Sequence, residues 1–289
     1  MAKILLSFFI FFLFFSSCKV IDPEETIPSF IKVDKVSFKA NPGQGTDSVI
    51  ITDVWVFVDD QAIGAYELPA IIPILQSGEH KVMLRFGVIL NGIAATRSIN
   101  PFFTSYTRQI NLVEDSVIEM NPDVSYMSSC NFFWNENGQE GFEDGGITID
   151  SIFGSNSKIL KTDTNVYEGS YSGQIHLTKD LPYFIAASTN EYTISSSGSK
   201  SCLMEFHCKN VEAPLGVGIY VTYANSLVVK VDYLTIKPGP GWRKIYMNMS
   251  NLLDSYLAAS KYKVFFSSNI PSGNQTADIY IDNIKLISF

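Results

Sequence analysis

The chain is poor in charge, in histidine and in cysteine, and each shortage removes a class of function. Only 17% of its 289 residues are Asp, Glu, Lys or Arg, with 21 basic against 29 acidic and a formal net charge of −8. A net-acidic chain without a basic patch cannot neutralise a phosphate backbone, so nucleic acid is excluded as a partner. His80, His176 and His207 stand in separate stretches, with no HExxH spacing that would chelate zinc. A Gly-x-Ser-x-Gly elbow and the glycine patterns of phosphate loops are missing as well. Cys202 and Cys208 sit in Cys-Leu-Met-Glu-Phe-His-Cys. On one extended strand they would lie about 20 Å apart, too far for a disulfide. A bridge from Cys130 to either stays open, beside the plainer reading of all three as small buried apolar residues. His207 and Cys208 are adjacent and would face opposite sides of a strand, which argues against a metal site there.

What is present begins at the amino terminus. Lys3 precedes Ile4–Phe15, a run that is apolar except for Ser7, and Ser16, Ser17 and Cys18 follow. A basic start, a short apolar run and small residues before a cleavage point make a secretory signal. The run is shorter than the roughly 20 residues a spanning helix needs. Cys18 sits where a thiol would take a diacylglycerol. The segment resembles a bacterial lipobox, with Phe15 in place of the more usual Leu. The resemblance implies a signal peptide over 1–17, palmitate-type acylation at Cys18 and attachment to the outer membrane, facing the periplasm or the cell surface. Residues 18–29 are polar and hold two prolines, which suits a tether. Asp22-Pro-Glu-Glu25 resembles the acidic tags that follow the cysteine in surface lipoproteins of Bacteroidetes.

Residues 30–125 alternate apolar and polar residues in short runs broken by Gly, Pro and Asp, as in a small β-sandwich. Asp59-Asp60 and Gly78 are the expected turns, and Gly64 the expected relief of crowding. Val56-Phe-Val-Asp-Asp-Gln-Ala-Ile-Gly64 through Leu68-Pro69, then Ser77-Gly-Glu-His-Lys-Val82, resembles a PEGA-like module, an Ig-like scaffold without chemistry of its own. It implies a spacer. Residues 127–289 form a second and larger β unit, with a helix expected only over 250–260, capped by Asn248 or Ser250. Glu140-Gly-Phe-Glu-Asp-Gly145, Val166-Tyr-Glu-Gly-Ser-Tyr-Ser-Gly173, Gly241-Trp-Arg-Lys-Ile245 and Ile279-Tyr-Ile-Asp-Asn-Ile284 resemble, in that order, the segments of a carbohydrate-binding-module jelly roll of the galactose-binding-like superfamily.

That resemblance implies a structural calcium where the opening and closing strands meet, held by Glu143 and Asp282 with Glu140 and Asp144 as reserves. A hydrogen-bonded strand-end role for Asp282 is the competing expectation. It also implies a glycan stacked on exposed rings, from Trp134, Trp242, Tyr171 and Tyr183, with Tyr220 and Tyr223 further candidates of opposite strand parity. The expected function is non-catalytic recognition by the distal jelly roll, of a glycan or of another envelope protein. A glycosidase would need paired carboxylates, and Glu140 with Glu143 or Asp144 fits a structural segment better.

Overall fold

Alternation in the first unit resolves into β1 (Ser29–Val33), β2 (Ser37–Phe38), β3 (Asp53–Val58), β4 (Gln61–Glu67), β5 (Ala70–Ile74), β6 (Gly78–Ile89), β7 (Arg97–Ile99), β8 (Tyr106–Leu112), β9 (Val117–Glu119) and β10 (Asp123–Val124). The computed structural model describes residues 25–194, 201–256 and 258–289, so the signal, Cys18 and most of the tether lie outside the described residues. One sheet has the order β5-β1-β9; another runs β4-β3-β6-β7, with β8 also on β6; β2 pairs with β10. Val54, Val56 and Val58 of β3 lie beside Phe86, Leu84 and Val82 of β6 on one sheet face and share a buried core with Ile31 and Val33 of β1. Asp59 and Asp60 both take left-handed φ, 48° and 66°. They make the two-residue turn whose twist matches that of the flanking strands.

The second unit contains β11 (Asn131–Phe132), β12 (Ile149–Ser151), β13 (Ile159–Thr162), β14 (Ser172–Thr178), β15 (Tyr183–Ser188), β16 (Cys202–Lys209), β17 (Leu215–Tyr223), β18 (Val228–Ile236), β19 (Arg243–Asn248), α1 (Ser250–Asp254), β20 (Ala259–Asn269) and β21 (Thr276–Ser288). Two sheets lie face to face. The six-stranded one has the order β13-β14-β21-β16-β19 with β11 on β21, and the five-stranded one β12-β15-β20-β17-β18. Their inner faces interdigitate, with Phe206 edge-on to Phe266, centroids 5.4 Å apart. The chain is all-β, as expected, apart from α1. That helix ends at Asp254, short of the expected 260, because β20 starts at Ala259 and pairs with Tyr223. Cys202 and Cys208 are buried in this core, Cys130 is half-buried, and none forms a disulfide. Burial pushes the Cys208 thiol up to about 12 and the Cys130 thiol up to about 11, which makes them inert as nucleophiles.

The first unit does not stand clear as a spacer. Leu203, Tyr246 and Ile287 project from the outer face of the six-stranded sheet into the first unit's own core. The Tyr246 hydroxyl accepts from the Ile50 N–H at 2.8 Å, and the Asn91 N–H donates to the Tyr246 carbonyl at 2.7 Å. Asn283 Nδ2 donates to Ser48 Oγ at 3.1 Å and Lys285 Nζ to the Thr46 carbonyl at 2.7 Å. The docked unit therefore occupies one end of that outer face.

Candidate functional site

A jelly roll has two outer sheet faces on which to hold a ligand, and here they differ. On the six-stranded sheet, β16 and β21 alternate so that Leu203, Glu205 and His207, with Asp282, Lys285 and Ile287, point outward. Yet Glu205, His207, Asp282 and Lys285 are fully buried. Tyr126 of the first unit donates to Glu205 Oε1 at 2.7 Å, and Lys244 Nζ reaches the same oxygen at 3.1 Å. Lys285 Nζ lies 3.7 Å from it. Burial alone would raise the Glu205 carboxyl, but Lys244 and Lys285 reverse this and hold it below its ordinary value. Burial pulls Lys285 down to about 8 despite Glu205. One carboxylate thus serves two lysines beneath the docked unit, an arrangement that holds position rather than binds a ligand.

The loop over 165–171 closes the middle of this face. Tyr167 stacks on His207 with centroids 3.6 Å apart. Burial, with the charges of Lys244 and Lys285, pulls the His207 ring down to about 2, so it stays neutral. Asp282 Oδ2 accepts the N–H groups of Tyr167 and Glu168, each at 3.3 Å, and Oδ1 accepts that of Asn283 at 2.8 Å. Burial pushes Asp282 up to about 7 against those three donors. Glu143 Oε1 accepts the N–H groups of Ser170 and Tyr171, both at 2.9 Å. Glu140 is buried; it accepts from the Phe142 N–H at 2.7 Å and from the Thr148 N–H and hydroxyl. Asp144 is exposed and accepts from Asn137 Nδ2. The four acidic residues expected around calcium each accept from N–H or O–H donors of the protein, which fits the competing expectation of a hydrogen-bonded role. Among the described residues no three His, Cys, Asp or Glu side chains are grouped to hold a metal.

The five-stranded sheet presents its outer face differently. A sandwich strand normally turns polar residues outward. Here Ile185 and Ala187 of β15 and Phe265 of β20 form a separate apolar cluster, flanked by Ile152, Tyr183 and Tyr220. Tyr220 and Phe265 have centroids 5.2 Å apart, and Lys230 Nζ lies 4.7 Å over the Phe265 ring while it pairs with Asp232 at 2.6 Å. Gly216 and Gly218 of β17 keep the floor flat. A Cβ on Gly218 would overlap the Phe265 ring and the Val231 carbonyl, and one on Gly216 the Ser267 hydroxyl. Burial, then the neighbouring Tyr183 and Asp232, raises the Tyr220 phenol. It stays protonated near neutrality and able to donate. Phe153, on the loop after β12, is fully exposed beside Ile152.

The four rings expected to stack on a sugar lie in different places. Trp134 is buried, with its indole N–H donating to Thr148 at 2.9 Å, so it offers no ring face and belongs to the core instead. Trp242 is half-buried on the other sheet, 5.7 Å from Tyr167 and 6.4 Å from Tyr280. Tyr171 lies under Lys161, 4.0 Å from its Nζ. Tyr183, with Tyr220, belongs to the aromatic face. Tyr223 packs against the core. Phe265 and Phe153 were not singled out by the sequence, although adjacent Phe265-Phe266 on a strand obliges one ring to point outward.

No family profile matches the chain, and no curated protein matches it significantly. Solved structures overlap it loosely. A xylan-binding domain from CBM 22, formally an x6b domain, aligns at 10% identity and a TM-score of 0.38, over 56% of this chain and 97% of that one. The CBM22-1 xylan-binding domain of Paenibacillus barcinonensis Xyn10C aligns at 15% identity and a TM-score of 0.38, over 52% and 92%. A structure described for the promiscuous specificity of carbohydrate-binding modules of the β-sandwich superfamily covers 91% of this chain and 99% of its own, at 16% identity and a TM-score of 0.37. Overlaps this loose carry no weight for ligand or mechanism.

Proposed function

We propose that this chain is a lipid-anchored, non-catalytic protein of the bacterial outer membrane, attached through Cys18 and facing the periplasm or the surface. It would be of the Bacteroidetes surface-lipoprotein kind, with a PEGA-like first unit. Its jelly roll recognises a glycan on the outer face of the five-stranded sheet. One observation carries the glycan reading: Tyr183 and Tyr220, both part-exposed, gather over a buried Phe265 on a face that sandwich folds ordinarily leave polar, with Gly216 and Gly218 leaving room beside them. Flat apolar rings with hydroxyls and the Lys230–Asp232 pair at the rim suit a sugar, which has an apolar face and a polar edge. Affinity electrophoresis of the full chain through gels containing soluble polysaccharides tests this. At least one polysaccharide should retard the protein, and Tyr220→Ala or Tyr183→Ala should weaken retardation about tenfold, roughly 1.4 kcal/mol, with the thermal midpoint little changed. Wild type unretarded by every polysaccharide would remove the glycan and leave the aromatic face to a protein partner in an envelope complex.

A further inference from the structure

The most exposed apolar surface of the first unit lies where the chain enters the fold. Ile27, Ile71, Leu75, Val113 and Val117 are each more than half exposed. The register of β5-β1-β9 sets Pro73, Phe30 and Val117 side by side on the outer face of that sheet, with Ile71, Lys32 and Glu119 in the next row. The turn carrying Val113 is tied to the chain entry, since the Asp115 N–H donates to the Pro28 carbonyl at 3.0 Å. A grouping of this kind marks a surface that meets something. Its one lysine, Lys32, is already paired, with Asp34 at 2.8 Å and Glu119 at 3.3 Å.

We propose that this face rests on the lipid bilayer that holds the anchor, at the boundary of headgroups and acyl chains. The proposal depends on acylation of Cys18. From Cys18 to Ile27 the chain has nine residues and reaches roughly 30 Å when extended. Ile27 and Phe30, the first apolar residues after that reach, belong to the patch themselves. A tether this short holds the patch near the membrane at an effective concentration on the order of millimolar, so weak interfacial burial of a few side chains is enough to fix orientation. Asp34 and Glu119 pair with Lys32 of the patch and Asp115 bonds to Pro28 beside it, with Glu25 and Glu114 next to Ile27 and Val113 in the chain. That acidic rim fits a zwitterionic surface and is repelled by an anionic one.

The test uses the full acylated chain in phosphatidylcholine vesicles that contain brominated acyl chains. Leu75→Trp places a fluorophore on the patch, Val117→Trp is a second probe in case the first perturbs β5, and Phe153→Trp reports from the jelly roll. Leu75→Trp and Val117→Trp should be quenched at least twofold more than Phe153→Trp. The excess should shrink when phosphatidylglycerol is added at low salt, and return with added salt. Equal quenching of all three, with acyl mass present on Cys18, overturns the docking and leaves the anchor standing. Absence of acyl mass on Cys18 overturns both. A concentration-dependent blue shift of Leu75→Trp without vesicles assigns the face to a second copy of the chain instead.

Discussion

His207 is a base that cannot act as one. Its two ring nitrogens have no hydrogen-bond partner among the described residues, and it is held neutral between Tyr167 and the lysines. The folded ring titrates near 2, against 6.5 when unfolded. The unfolded chain therefore binds the extra proton between those values, and stability falls as pH drops below 6.5. Asp282 works in the opposite direction. It titrates near 7 folded and 3.8 unfolded, so the folded chain binds the extra proton and stability rises as pH drops from 7 towards 4. In the wild type the two largely offset. His207→Phe keeps a ring under Tyr167 and removes one side of that balance. Urea unfolding at pH 7 and pH 4.5 should show the variant gaining stability over wild type on acidification, by an amount on the order of 2 kcal/mol. Parallel pH slopes for the two proteins would show that His207 does not titrate in this way.

At the scale of the strand, β16 and β17 explain what could and could not be read in advance. The Asp59-Asp60 hairpin and the alternating runs were legible, because a turn's φ preference and a strand's period of two are local properties. β16 was not. Cys202 to Cys208 is buried at every position, because the core covers one face and the first unit and the 165–171 loop cover the other. Nothing in the local sequence marks Glu205 and His207 as covered, because their burial is a matter of tertiary contact alone. The aromatic face was half legible: Tyr183 and Tyr220 stood out by type, while Trp134 went to the core, since strand parity without a known inward face is ambiguous. The floor can be tested at Gly218. Gly218→Ala should push the Phe265 ring off β17 and cost about 1–3 kcal/mol as overpacking, read by thermal unfolding, together with weaker polysaccharide retardation. A variant as stable as wild type would mean that the ring has room elsewhere.

At the scale of the molecule, the two units should unfold together. Leu203, Tyr246 and Ile287 are buried across the contact, and each such side chain contributes about 1.5–3 kcal/mol. Their sum is comparable to the whole net stability of an ordinary domain. Calorimetry of the full chain should give one transition with matching van't Hoff and calorimetric enthalpies; two resolved transitions would show that the contact is weak. The sequence pointed to two units near residue 126 but not to their union, because the contact joins Thr46, Ser48 and Ile50 to residues 239, 235 and 196 positions later.

The shared carboxylate of Glu205 has a consequence for descent. A gene rearrangement that carried only the second unit to a new protein would bring two lysines, one glutamate and an uncovered apolar face into water. The recipient would gain a poorly folding module and no new binding. The first unit thus acts as a heritable cover for the second, and recombination breakpoints that yield a working protein are expected outside the pair, not between the two.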